Sequence, residues 1–189
     1  MNTLFSIEPG FPEGLKYFPD FLSEDEEMEL CKEIKKIQLH EFNFQGFTAK
    51  RKVASFGYDY NFDKRSLSKG KDIPPIFGPL IEKVSKHLSI KSDEFIELLV
   101  TEYPVASVIN WHRDAPPFDL IAGISLMSDC IFRLRPQEKA KQNRGAIISF
   151  PVRRRSLYIM QGEARNEWQH STSPVKETRY SITLRTLRG

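Results

Sequence analysis

Little in this sequence points away from an ordinary folded domain. Cysteine is nearly absent. Cys31 and Cys130 are the only two, too few for a disulfide framework, and a reducing, cytoplasmic setting (nuclear in a eukaryotic host) is the expectation. No apolar run approaches the ~20 residues that cross a bilayer, so no membrane partner is expected. The opening stretch MNTLFSIEPGFPEG lacks a basic region followed by an apolar one, and no secretory signal is read there. No repeat, low-complexity tract or linker interrupts the 189 residues. That length suits one monomeric domain, residues 1–189, with a proper core. A strong charge excess is also missing, the net charge being only +3. The basic residues cluster nonetheless, as KRK at 50–52, RLRPQEKAKQNR at 133–144 and RRR at 153–155. A solvated surface explains such clusters, and so does a nucleic-acid footprint if they surround an active site.

What is present falls into two textures, about 1–94 and about 95–188. LSEDEEMELCKEIKKI reads as a helix. Ser23 caps it, Glu26 completes a capping box, and Leu30, Cys31, Ile34 and Ile37 share one face. PPIFGPLIEKVSKHLSI reads as a second helix with Pro75 near its first turn. Beyond residue 94 come short β-rich runs: FIELLVTEY, LIAGISLM, CIFRLR, GAIISFPV, SLYIMQG and RYSITLRTL. Many short strands after two helices predict a mainly β fold with flanking helices (α+β), a sandwich or barrel.

The last run carries the sharpest pattern. Side chains alternate along a strand, so Tyr180, Ile182 and Leu184 face one way and Arg179, Ser181, Thr183 and Arg185 the other. A polar face in water is one reading. A polar face lining a barrel lumen is the other, and buried guanidinium groups then need counter-anions. Six residues at about 3.3 Å each set the two arginines roughly 20 Å apart, serving opposite ends of a site. A dicarboxylate would answer that demand. WHRDAPPFDL, residues 111–120, supplies His112 and Asp114 two apart. Of the other histidines, His40 and His87 are most simply structural or exposed, and His170 lies in a loop-like stretch nine residues before Arg179. Two histidines and one carboxylate form the face of non-haem Fe(II) oxygenases.

On these pieces the sequence resembles the AlkB family of Fe(II)- and 2-oxoglutarate-dependent dioxygenases. TEYPVASVINWHRD, LIAGISL, CIFRL, PVRRRSLYIMQGEARNEWQHSTSP and RYSITLR follow one another in the family's order over about residues 15–188. The resemblance implies a double-stranded β-helix, or jelly-roll, barrel. It implies His112, Asp114 and His170 as iron ligands and catalytic centre. It implies a 2-oxoglutarate site at Tyr103 and Arg179, with Thr101, Ser181 and Thr183 beside it and Arg185 toward the metal end. Thr101 and Ser181 stand where many members carry asparagine, and members with serine there include the tRNA wobble-uridine hydroxylases. Fe(II), 2-oxoglutarate and O2 are the implied cofactors, and hydroxylation of a methyl or methylene group is the implied chemistry. On an N-methyl group that hydroxylation releases formaldehyde.

The substrate is the open question. A base inside a duplex cannot reach a barrel mouth, so single-stranded DNA or RNA, or a flipped base, is expected. KRKVASFGYDYNF, 50–62, offers Arg51, Tyr58 and Tyr60 as substrate-binding candidates, with Phe56 and Phe62 read as packing groups. Trp111 and Trp168 are read as packing beside the ligands. Pro116 stands where repair members of the family carry an acidic residue, which speaks against simple repair of N1-methyladenine or N3-methylcytosine. Two functions remain in view: oxidative demethylation of alkylated nucleobases in DNA or RNA, and hydroxylation of a tRNA modification or a protein side chain by the same chemistry.

Overall fold

A computed structural model describes residues 10–44, 47–61 and 64–189. Eleven strands and three α-helices follow in the order β1 (Leu15–Phe18), α1 (Glu24–Ile34), β2 (His40–Phe44), β3 (Phe47–Asn61), β4 (Ser66–Lys69), α2 (Gly78–Leu88), β5 (Phe95–Tyr103), β6 (Phe118–Leu126), β7 (Cys130–Pro136), β8 (Ile148–Val152), β9 (Leu157–Met160), α3 (Gly162–Asn166), β10 (Trp168–Thr172) and β11 (Arg179–Leu187). The larger sheet runs β1-β9-β6-β11-β5-β3-β2, with β4 on β3, and the smaller runs β10-β7-β8. All pairings are antiparallel. Two such sheets face to face make the expected jelly roll.

Helix α1 forms where its capping chemistry directs. The Glu26 amide donates to Ser23 Oγ and the Ser23 amide to Glu26 Oε2, closing the capping box. Leu30, Cys31 and Ile34 of α1 and Leu80, Ile81 and Val84 of α2 pack on the outer face of the large sheet, against Leu98, Val100, Ile182 and Leu184. A second core fills the space between the sheets, with Phe118, Ile121, Phe132, Leu134, Phe150 and Tyr158. Strand β11 serves both. Tyr180, Ile182 and Leu184 belong to the outer core, while Arg179, Ser181, Thr183 and Arg185 are buried toward the inner side. The lumen reading of that polar face therefore holds over the solvated one.

Three expectations about local structure change. Strands β1 to β4 precede or separate the helices, so the first half is not purely helical: β3 joins the large sheet through β5, Val53 opposite Thr101 and Ser55 opposite Leu99. Pro75 opens a short 3₁₀ turn, Pro75–Phe77, ahead of α2. His170 lies on β10 rather than in a loop, and the stretch before it forms the short helix α3. His40 belongs to β2, and His87 packs edge-on against Phe18 and Phe21.

Candidate active site

The site forms where the two sheets open. His112 and His170 make an isolated antiparallel bridge, with N–H···O distances of 3.0 and 2.9 Å in the two directions. That bridge brings residues 58 positions apart in sequence to a ring-centroid separation of 4.2 Å. Asp114, two residues beyond His112, completes the cluster, and the three potential ligand atoms lie within 4.8 Å of one another. Each histidine is fixed from behind. His112 Nδ1 lies 2.8 Å from the Asn110 carbonyl and donates to it when the ring is neutral, freeing Nε2 for a metal. The Phe132 ring stacks on His170 at 5.3 Å and 10°. Burial, reinforced by His112, pushes His170 down to about 3, and burial also lowers His112. Both imidazoles are thus neutral and able to donate a lone pair at ordinary pH.

Asp114 is the charged hinge of the site. Burial by itself raises its carboxyl, but Arg185, then His170 and His112, outweigh it and hold the group well below the usual carboxylate range. Arg185 Nε and Nη2 donate to Asp114 Oδ1 at 3.0 and 2.6 Å, and Arg185 Nη1 donates to Glu97 Oε2 at 2.6 Å. Asp114 Oδ2 is buried without a hydrogen-bond partner and lies 3.6 Å from His170 Nε2. A buried carboxylate oxygen left bare is costly unless a cation takes it. That orphaned oxygen, beside two neutral imidazoles, fits a divalent iron with open positions.

A second group of residues sits along the inner face. Arg179 is 3% exposed. Its Nε donates to Ser125 Oγ at 2.9 Å, its guanidinium lies 4.9 Å from the Tyr103 ring centroid, and no carboxylate lies within ion-pair distance among the described residues. A buried guanidinium without a counter-anion calls for an anionic ligand, and a carboxylate matches its fork. Tyr103 stands opposite Arg179 in the β5–β11 register, and Thr101 opposite Ser181. Thr101, Tyr103, Arg179, Thr183 and Arg185 all line one open cavity of about 860 Å³ together with the three candidate ligands. Ser181 is buried between Thr101 and Ser125 in register and is not among the lining residues. Arg185 differs from Arg179. Its guanidinium is taken up by Asp114 and Glu97, so its direct work is on the ligand carboxylate.

The candidate substrate residues divide. Arg51 and Tyr60 line the cavity and Tyr58 does not; Tyr58 lies in the β3–β4 hairpin opposite Lys69. Arg51 stacks over Phe42 at 4.1 Å. Phe56 packs in the outer core against Phe77, and Phe62 lies outside the described residues. Trp168 donates its Nε1–H to Glu163. Arg154 and Arg155 are absorbed by acids, Arg154 by the buried Glu27 and Arg155 by Asp20 and Glu24.

Sequence reasoning missed three contributors. Glu97 shares an alternating face with Tyr103 on β5 and was readable from that parity. Asp59 lines the cavity from β3. Arg165 is buried in α3, and its Nη2 donates to the carbonyls of Asp114 (3.2 Å), Ala115 (2.7 Å) and Phe118 (3.0 Å). No local pattern marks that role.

The model of the 2OG-Fe(II) oxygenase superfamily matches residues 14–185. A mouse protein, "tRNA (carboxymethyluridine(34)-5-O)-methyltransferase ALKBH8", is 27% identical over 172 residues, covering 87% of this chain and 25% of the relative. An Arabidopsis thaliana protein, "Alkylated DNA repair protein ALKBH8 homolog", is 26% identical over 223 residues, covering 99% of this chain and 62% of the relative. The chain thus spans about a quarter of the mouse protein it matches. Among solved structures, OsALKBH1 aligns with a TM-score of 0.71 at 14% identity, over 93% of this chain and 98% of that one. A Pseudomonas putida prolyl-4-hydroxylase aligns with a TM-score of 0.65 at 15% identity, over 93% of both chains. These two likenesses concern the fold.

Proposed function

This chain belongs to the 2OG-Fe(II) oxygenase superfamily, and from that premise we propose that it is an AlkB-like dioxygenase oxidising an alkyl group on a nucleobase of single-stranded DNA or RNA. Its cofactors are those of the superfamily, Fe(II), 2-oxoglutarate and O2. The observation that carries the reading is the orphaned Asp114 Oδ2 set between two neutral imidazoles, with the unpaired Arg179 on the same cavity.

In this reading His112, Asp114 and His170 hold the iron. Arg179 and Tyr103 would take the far carboxylate of 2-oxoglutarate, and Thr101 and Thr183 line the same cavity, while Ser181, buried beside them, does not line it. Iron, 2-oxoglutarate and O2 together supply an oxidant that takes hydrogen from a C–H bond and returns hydroxyl, with succinate and carbon dioxide released. The protein's own work is positional. Arg185 keeps Asp114 ionised and, by taking Oδ1, leaves Oδ2 as the oxygen that would bind a metal. Phe132 and the Asn110 carbonyl fix the two rings. Arg51 and Tyr60 at the cavity wall are placed to meet the target nucleotide, Arg51 through its charge and Tyr60 through its ring. Relatives are named both for tRNA and for DNA repair, so their names support a nucleic-acid substrate of either kind. Pro116, where an acidic contact to the base is expected in repair enzymes, favours a different alkyl target and keeps a second reading alive, hydroxylation of a tRNA modification to a stable product.

The test is one reaction containing protein, Fe(II), ascorbate, 2-oxoglutarate and methylated single-stranded oligonucleotides of both kinds. Succinate and formaldehyde together are expected. Succinate with a stable mass gain of one oxygen on the oligonucleotide selects the second reading. Absence of both products, with iron bound and nucleic-acid substrates of both kinds present, overturns the nucleobase assignment.

A further inference from the structure

The three basic clusters of the sequence meet different fates. At 153–155 two of the three arginines are spent on acids, and at 50–52 Lys52 lies 3.8 Å from Glu102. Arg133 and Arg135, at the head of the 133–144 cluster, have no carboxylate within ion-pair distance among the described residues. They project from β7 on the face opposite Phe132 and Leu134, which are buried inward. Their guanidinium carbons lie 5.1 and 4.5 Å from the ring centroid of Trp111.

Neutral groups hold both arginines in place. Arg133 Nε donates to Ser171 Oγ at 3.1 Å and its Nη2 to the Thr172 carbonyl at 3.3 Å. Arg135 Nε donates to Gln169 Oε1 at 2.7 Å. The positions are therefore fixed while the charges stay uncompensated, and all three side chains remain half-buried rather than covered. Two preorganised cations stacked against an aromatic ring, with free N–H edges, make a surface for an anion carried on a flat or flexible polymer. Glu138 pairs with Lys141 and Glu163 accepts from the Trp168 indole, and neither lies within ion-pair distance of Arg133 or Arg135.

Location gives the surface its use. Trp111 precedes His112, and Gln169 and Ser171 flank His170, so the patch backs directly onto two of the three candidate ligands. We propose that Trp111, Arg133 and Arg135 form a docking platform for the sugar-phosphate backbone of the single strand whose target nucleotide enters the cavity. The proposal rests on the nucleic-acid reading above and adds to it a site that grips the chain outside the reacting nucleotide.

The experiment is a titration of matched single-stranded RNA and DNA against wild type, Arg135→Gln and Arg135→Lys at several salt concentrations. Retention of 2-oxoglutarate binding reports that each variant is folded. A lost phosphate contact on a single strand lowers the slope of log affinity against log salt by about 0.7. The expected result is several-fold weaker binding and that loss of slope for Arg135→Gln on both strands, with Arg135→Lys keeping the slope, because the charge remains, and losing only the part of the affinity that the stacked fork supplies. Equal affinity and slope for wild type and Arg135→Gln would overturn the platform and leave the nucleobase reading intact. Loss of slope in Arg135→Gln and Arg135→Lys alike would assign the guanidinium to local structure, through Gln169, and overturn it too. A wild type that binds neither strand would remove the platform and the nucleobase reading together.

Discussion

Asp114 shows how much a single carboxylate depends on residues that never reach the metal. Arg185 balances its charge, and Glu97 takes the remaining arm of that guanidinium, so a single cation serves two buried acids. Burial raises Glu97 against the pull of Arg185, as expected when two carboxylates compete for one partner. The backbone after Asp114 has its own support. Arg165, 4% exposed, gathers three carbonyls of residues 114–118 through one nitrogen. Replacing it by methionine keeps most of the buried length and removes the donor. Arg165→Met should bind Fe(II) about 10- to 100-fold more weakly, the range for groups that orient ligands from outside, while the protein remains folded by circular dichroism. Unchanged iron affinity in a direct titration would show that the loop holds its shape without the arginine.

At the scale of strands and helices, the site depends on close approach between β6 and β9. Gly123 stands opposite Tyr158 in that pairing, and a Cβ at Gly123 would land on the Tyr158 ring. Tyr158 is buried and lines the cavity with Arg179, so it cannot swing into solvent. Gly123→Ala should cost about 1–3 kcal/mol by overpacking and weaken 2-oxoglutarate binding more than Fe(II) binding. Equal loss of both ligands in paired titrations would mean that the ring displaces the whole site. The same scale explains what was legible beforehand. Helix α1 could be read because Ser23 and Glu26 act within one turn. The polar face of β11 could be read because parity is local, but its direction, lumen or water, needed the second sheet. The alternating aromatics from Phe56 onward left a strand legible in 50–62, but the full fifteen residues of β3 and its place in the large sheet were not, because the pairing that sets them, with β5, is distant in sequence. His112 and Asp114 were visible as a local pair. His170 was visible through the family resemblance, but its place on β10 needed the β7–β10 pairing, and Arg165 needed the packed loop it binds.

At the scale of the whole molecule, the cavity is a junction. Tyr103 comes from β5, Arg179 from β11, His170 from the smaller sheet and His112 with Asp114 from the connection before β6. A ligand touching all of them crosses the interface between the two sheets and is bound only when both are assembled. Metal and cosubstrate should therefore stabilise the fold through mass action, by about 2.7 kcal/mol for a ligand at 100 times its Kd. For a chain of this size each kcal/mol moves Tm by roughly 2–4 °C, so each ligand should raise it by about 5–11 °C. Mn(II) can replace Fe(II) in the measurement, avoiding turnover and oxidation. The two contributions should separate in Arg179→Met. That change removes the buried cation opposite Tyr103 without touching His112, Asp114 or His170. The metal increment should persist and the further rise on adding 2-oxoglutarate should vanish. Persistence of the 2-oxoglutarate increment would return Arg179 to a structural role on the inner face, held by Ser125 and Tyr103. Loss of both increments would mean that the cosubstrate arginine also holds the sheets in register.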